Sequence, residues 1–206
     1  MITVWGRTNS INVQKVMWTI GELGLEHRRV DAGGQFGGLD TPEYGALNPN
    51  RKIPVLDDEG TVVWESNTCV RYLAARYGQG FLWREDPGVR ARSDMWMDWV
   101  NTTVIPDMTV VFWGLIRTPE AERDHHAIRV SSKNLGQIFT VLDQYLEGQH
   151  YMVDDSLSMG DIVVGAACHR YLSLPMERPV LDQVKAYYER LGHRPAFREH
   201  VMLPLS

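Results

Sequence analysis

Apolar positions along the first eighty residues alternate between two spacings. Ile2, Val4 and Trp5 make a short run of the kind that forms a buried strand, and Val13, Val16, Met17, Ile20 and Leu23 then recur every three to four residues up to Gly24, a helix with a natural stop. Glu26 to Asp31 reads as a second strand, and Thr41-Pro42-Glu43-Tyr44 opens a short helix with threonine as cap and proline in the first turn, closed at Asn48-Pro49. Pro54-Val55-Leu56, Asp57-Asp58-Glu59-Gly60 and Val62-Val63-Trp64 spell strand, tight turn and strand. Glu65-Ser66-Asn67 then offers N-cap chemistry to a helix whose apolar stripe is Val70, Leu73, Ala74 and Tyr77. The predicted order is strand, helix, strand, short helix, strand, strand, helix, which calls for a mixed sheet with helices on both faces.

That order is the thioredoxin-like arrangement. The pattern breaks between Gly78 and Pro87, so residues 1–78 are expected as an α/β thioredoxin-like domain, 79–86 as a linker and 87–206 as an all-α domain. A helix is expected from Val89 through Asn101, kinked or interrupted at Pro106 before Val110-Val111-Phe112-Trp113. A further helix restarts at Arg117-Thr118-Pro119-Glu120 and carries Ile128, Leu135, Ile138, Leu142 and Leu146 as its buried stripe. Ser158 and Asp161 have capping-box spacing ahead of an apolar helix through Leu172, which makes Asp161 a folding residue rather than a catalytic one. Val184, Tyr187, Tyr188 and Leu191 mark a last helix, closed by Gly192 and Pro195.

Composition narrows the functional classes. The chain has 206 residues, is 44% hydrophobic and carries a net charge of -5, with basic residues scattered rather than clustered. A substantial core is therefore available and a polyanionic partner such as nucleic acid is disfavoured. No apolar run approaches a membrane span and the first residues lack the regions of a signal peptide, so a cytoplasmic location is expected. The two cysteines, Cys69 and Cys168, stand far apart on predicted helices among apolar neighbours, and His125-His126 lacks the HExxH spacing, so neither a metal site nor a redox dithiol is expected. Gly33, Gly34, Gly37 and Gly38 sit in a loop without the GxGxxG pattern or a P-loop lysine and serine, which argues for a mobile lid rather than a nucleotide cradle.

Two helix entrances carry the candidate chemistry. Gly6 to Asn12 crowds small polar side chains ahead of the first helix, where Ser10 or Asn12 caps it or a hydroxyl at the helix N-terminus donates to a thiolate held nearby. A free thiol has a pKa near ~8.5, and a hydrogen bond to the charged form contributes roughly 1.5–3 kcal/mol, enough to lower it by about one to two units. Ser66, at a helix start directly after a strand, sits beside free N–H groups and the positive end of a helix dipole, which suits a carboxylate. Pro54 opening a strand marks an edge or a bend, with a cis peptide bond as one option that turns the Ile53 backbone outward.

Lys52-Ile53-Pro54 followed by Glu65-Ser66 resembles the glutathione-binding signature of the cytosolic glutathione transferases. Ser10-Ile11-Asn12-Val13-Gln14-Lys15-Val16 is similar to the Ser-Pro-Asn-x-x-Lys-Val segment of serine-type and bacterial members, with Ile11 in place of proline. The resemblance covers the chain from Trp5 to Arg194-Pro195-Ala196-Phe197. It implies a glutathione transferase fold, a cis Pro54, and glutathione held by Lys52 at its glycine carboxylate, by the Ile53 backbone at its cysteinyl unit, and by Glu65 and Ser66 at its γ-glutamyl end. Ser10, or Asn12 as in some bacterial relatives, would stabilise the thiolate. The pocket for a small hydrophobic electrophile is expected at Met108, Phe112 and Trp113. Glutathione is then a co-substrate, no cofactor is required, and a homodimer is expected. The same site serves peroxide or disulfide reduction, and an interaction module without turnover is the third alternative.

Overall fold

The computed structural model describes all residues from Met1 to Ser206. The chain divides into two compact units, Met1–Glu85 with Pro195–Leu203, and Asp86–Arg194 with Pro204–Ser206.

The first unit is built on a four-stranded sheet of order β2-β1-β3-β4, from β1 (Ile2–Trp5), β2 (His27–Val30), β3 (Val55–Asp58) and β4 (Thr61–Trp64). β1 pairs in parallel with β2 and antiparallel with β3, and β3 pairs antiparallel with β4. The hairpin turn is narrower than the sequence suggests. Only Glu59 and Gly60 lie outside the strands, both with positive φ, and the Gly60 N–H donates to Asp57 Oδ1 at 2.7 Å. Asp58, read from the sequence as a turn residue, is instead buried. Its carboxylate accepts from Tyr72 and Tyr77 at 2.8 and 2.7 Å and pairs with Arg76 at 3.0 Å, which ties the sheet to the helix that follows.

Alternation along the strands sends residues to both faces. Ile2, Val4 and Leu56 meet Val13, Val16, Met17 and Ile20 of α1 (Ile11–Leu23) and Leu73 of α3 (Ser66–Tyr77) in one cluster. Val55 and Trp5 face the other way, with Ala32 of the loop after β2 and Tyr44 of the short α2 (Pro42–Leu47). Gly24, in the left-handed conformation, ends α1 by returning its N–H to the Gly21 and Ile20 carbonyls. The expected arrangement, thioredoxin-like with helices on both faces, is the one observed.

The second unit is helical. α4 (Pro87–Trp99) starts at Asp86, whose side chain accepts from the Val89 N–H, with proline in the first turn. Pro106 does not interrupt the helix. Residues Val100–Val104 widen into a π turn and run straight into α5 (Ile105–Phe112), so the missing N–H and the bulk of the ring are absorbed by local rewinding. A second π turn, Trp113–Arg117, follows. The expected helix restart at Thr118-Pro119 is a single 3₁₀ turn, Glu120–Glu122, and α6 (His125–Tyr145) begins at Asp124, which caps the Ala127 N–H.

α7 (Met159–Ser173) is buried at every position from Met159 to Tyr171, with α4 and α8 (Asp182–Gly192) against it. Such all-round burial leaves no amphipathic stripe to read.

The chain does not stop being helical at Pro195. Proline opens α9 (Pro195–His200), where it needs no N–H partner. α9 belongs to the first unit, although the sequence placed it in the 87–206 domain. Phe197 packs edge-on against Trp18 of α1 at 4.6 Å, and Gly21 leaves room for Ala196 and His200, whose atoms lie 2.9 and 3.0 Å from where a Cβ would stand. Of the segment expected as a linker, residues 79–85 belong to the first unit, with the Gly80 and Trp83 N–H groups bonded to Trp83 and Gly78 carbonyls, and Asp86 caps α4.

Candidate active site

The head of α1 is shaped by Gly6. Its φ is +152° and a Cβ there would lie 2.4 Å from Val13 Cγ2, so only glycine lets the loop fold this closely onto the helix. Ser10 occupies the cap position with extended backbone, and its carbonyl accepts from the Gln14 N–H at 2.9 Å. Its hydroxyl makes no capping bond. The capping role, one of two readings the sequence leaves open, is thus not the one Ser10 takes.

Asn12, in the first turn of α1, is partly exposed and is the better connected of the two. Its Oδ1 accepts from Lys15 Nζ at 3.1 Å and from Ser66 Oγ at 3.2 Å. Lys15 is fully buried and also donates to Asn67 Oδ1 at 3.4 Å. A side-chain network therefore joins the head of α1 to the head of α3 across more than fifty residues of sequence.

At the head of α3 the cap residue is Glu65, not Ser66. Its φ of 67° and ψ of 113° lie outside the regions that side-chain-bearing residues favour, and its exposed side chain makes no capping bond. Local strain of this kind gathers at ligand sites. The first intrahelical bond runs from the Cys69 N–H to the Glu65 carbonyl at 2.9 Å, so the N–H groups of Ser66, Asn67 and Thr68 precede the helix ladder and point out of its positive end. The buried Ser66 has given its hydroxyl proton to Asn12 rather than to the helix.

The Ile53–Pro54 peptide, just ahead of β3, is cis, as the resemblance implies. The Lys52 carbonyl just before it accepts from Tyr44 Oη at 2.9 Å and Asn48 Nδ2 at 3.0 Å, while the Lys52 side chain is exposed. Burial pushes the Tyr44 hydroxyl up to about 12, so it remains a donor at all ordinary pH.

Residues 9–76 match the family model for the glutathione S-transferase N-terminal domain, and residues 107–201 match that for the glutathione S-transferase C-terminal domain. Together they span most of the chain. The chain belongs to the glutathione S-transferase family. It is 39% identical to glutathione S-transferase GstB of Escherichia coli over the full length of both. Among solved structures, the theta class glutathione S-transferase of Xanthomonas axonopodis pv. citri with glutathione bound superposes with a TM-score of 0.96 at 44% identity, covering 100% of this chain and 99% of that one. The fold also matches glutathione transferase F2 of Populus trichocarpa, with a TM-score of 0.87 at 20% identity, covering 98% and 97% of the two chains. This chain is accordingly a transferase.

The residues expected for the electrophile divide by burial in this transferase. Met108 and Phe112 are buried in the helical unit, whereas Trp113 is 53% exposed. Arg170 and Arg117 place their guanidinium groups 4.1 and 4.9 Å from the Phe112 ring centre, and Arg117 also lies 4.8 Å from that of Trp113.

Neither cysteine offers a rival nucleophile. Both are buried and reduced, and burial pushes the Cys69 thiol up to about 12 and the Cys168 thiol higher still. Asp161 is fully buried and accepts from the Met152 and Ser158 N–H groups, the Ser158 hydroxyl and the Tyr187 hydroxyl, the structural role its capping-box spacing predicts. No helix is long and apolar enough to cross a membrane.

Sequence reading quoted Lys15 within the family segment but gave it no role, and it gave none to the two residues that hold the Lys52 carbonyl, Tyr44 and Asn48. One signal was present for Lys15. It interrupts the apolar run Val13, Val16, Met17 on the inner face of α1, and a charge there needs partners.

Proposed function

We propose that this transferase binds glutathione between the heads of α1 and α3, ionises its thiol and conjugates the sulfur to a small apolar electrophile. The observation that carries this reading is the Ser66–Asn12 hydrogen bond of 3.2 Å. It brings an outward-facing helix N-terminus, suited to a carboxylate, within one side-chain contact of polar donors at the head of α1.

In this proposal Glu65 takes the γ-glutamyl ammonium, the Ser66 hydroxyl and backbone N–H at the head of α3 take the adjacent carboxylate, the Ile53 backbone before Pro54 pairs with the cysteinyl unit, and Lys52 reaches the glycine carboxylate. Ser10, whose hydroxyl is uncommitted to the helix, or the Asn12 amide donates to the sulfur. The thiolate then attacks the electrophilic carbon, displacing its leaving group with the bonding pair. The Xanthomonas relative, 44% identical, has glutathione bound, which supports the choice of ligand. Trp113, the exposed member of the expected apolar set, is the residue available for direct contact with an electrophile. A cytoplasmic homodimer with no cofactor completes the proposal.

A pH titration of thiolate absorbance on protein-bound glutathione tests it. Ionisation about one to two units below the free thiol is expected, together with a thioether product from an activated aryl halide. Glutathione that fails to bind, or that titrates as it does free in solution, would sink the proposal. Glutathione disulfide formed from a peroxide, with no thioether, would move the activity to reduction.

A further inference from the structure

Asn12 is an amide, and an amide has a donating and an accepting end. Which end faces the ligand decides whether it helps or hinders a thiolate. Resting on the glutathione site proposed above, we propose that Lys15 is a positioning residue that holds the Asn12 side chain with its carbonyl oxygen inward and its NH2 group turned toward the glutathione sulfur.

A lysine ammonium has three donors and no acceptor, so the group it meets at 3.1 Å must be the Asn12 oxygen. The Lys15 side chain is fully buried, and its ammonium is anchored a second time on Asn67 Oδ1 of α3 at 3.4 Å. A buried charge with two fixed acceptors cannot swing away to release the amide. The trigonal geometry of Asn12 then turns its nitrogen outward, on the side of a residue that is itself partly exposed.

Ser66 cannot perform this task alone. Its hydroxyl both donates and accepts, so it tolerates either orientation of Asn12 and selects neither. It also has a single proton, now given to Asn12 Oδ1 at 3.2 Å. A γ-glutamyl carboxylate arriving at the head of α3 competes for that proton. When Ser66 turns to the ligand, Lys15 alone keeps the Asn12 oxygen inward. The arrangement lets one end of glutathione be captured without losing the donor aimed at the other.

The test is the bound-thiol titration on Lys15→Met, which keeps the length and volume of the stem and removes the ammonium. Glutathione should still bind within about threefold of the native affinity, because the carboxylate contacts lie elsewhere. The bound thiol should titrate about one unit higher, which is about a tenfold loss of thiolate below the native midpoint. In an Asn12→Ala background, Lys15→Met should shift the thiol no further. An unchanged thiol in Lys15→Met, or an equal shift with and without Asn12, overturns the proposal. Absence of any lowered thiol in the native protein is a different result and fells the underlying glutathione reading instead.

Should Lys15→Met not fold, the native protein decides. With asparagine labelled with nitrogen-15, the Asn12 side-chain amide protons, assigned by their loss in Asn12→Asp, should move downfield with glutathione at pH 8 relative to S-methylglutathione, which has no thiolate. Equal positions with both ligands overturn the proposal.

Discussion

Replacing Asp161 by asparagine separates two effects that burial of a carboxylate combines. Its Oδ1 accepts from the Met152 N–H at 2.8 Å and Tyr187 Oη at 2.9 Å, and its Oδ2 from the Ser158 N–H at 2.8 Å and Ser158 Oγ at 2.7 Å. An asparagine NH2 placed at either oxygen's position faces one hydroxyl, which can turn and accept, and one backbone N–H, which cannot. One buried N–H is orphaned in both orientations, at a cost of roughly 1–3 kcal/mol. A protonated aspartic acid avoids this, since its hydroxyl oxygen still accepts.

Burial, opposed by the four donors, raises the Asp161 carboxyl from an ordinary 3.8 to about 6. The folded state thus binds the proton more tightly than the unfolded chain. The stability gained by protonation is fully present below about pH 4 and is lost as pH rises through about 6. Between pH 7.5 and pH 5 the native protein regains about 1–2 kcal/mol from this group, and the asparagine variant regains none. Asp161→Asn should therefore destabilise by about 2 kcal/mol at pH 5, roughly 4–8 °C in Tm, and by distinctly less at pH 7.5. Urea unfolding of both proteins at the two pH values measures the difference, in which every other titrating group cancels. A penalty that is the same at the two pH values would mean that the four donors offset burial and the carboxyl is not raised, and the reasoning would fail.

Two further substitutions probe the site's frame. Glu65→Gly should relieve the φ of 67° and raise thermal stability by about 1 kcal/mol after the entropy cost of glycine, while weakening glutathione binding at least about tenfold in calorimetry; a loss of stability would show that the strain is not there. Gly6→Ala should destabilise by roughly 2–4 kcal/mol, since its Cβ would sit 2.4 Å from Val13 Cγ2 at positive φ, and chemical denaturation within about 0.5 kcal/mol of native, a value small on the scale of such clashes, would refute the close-approach argument.

Local pattern carried the first unit well because its elements are amphipathic. Strand alternation and the three-to-four spacing of Val13, Val16, Met17 and Ile20 are consequences of having one face on a core, and the glycine and proline stops act within a few residues. The same local signals named both helix heads and left a cis Ile53–Pro54 peptide as one option, which the family resemblance selected. The family motif at Lys52-Ile53-Pro54 and Glu65-Ser66 added the ligand, which periodicity alone does not specify.

What the sequence did not determine depended on residues far apart in the chain. Pro195 reads equally as a helix stop or a helix start, and only the place for Phe197 against Trp18 makes it a start. Pro106 could break a helix, yet the chain widens into the π turn Val100–Val104 and continues into α5. Asp58 looks like a turn residue until Tyr72, Tyr77 and Arg76 come round from the next helix to meet it. The direction in which Asn12 points is decided by Lys15, Ser66 and Asn67 together. A hydrogen bond fixes orientation only when both partners are in place, and two of those three partners belong to α3, more than fifty residues further along the chain.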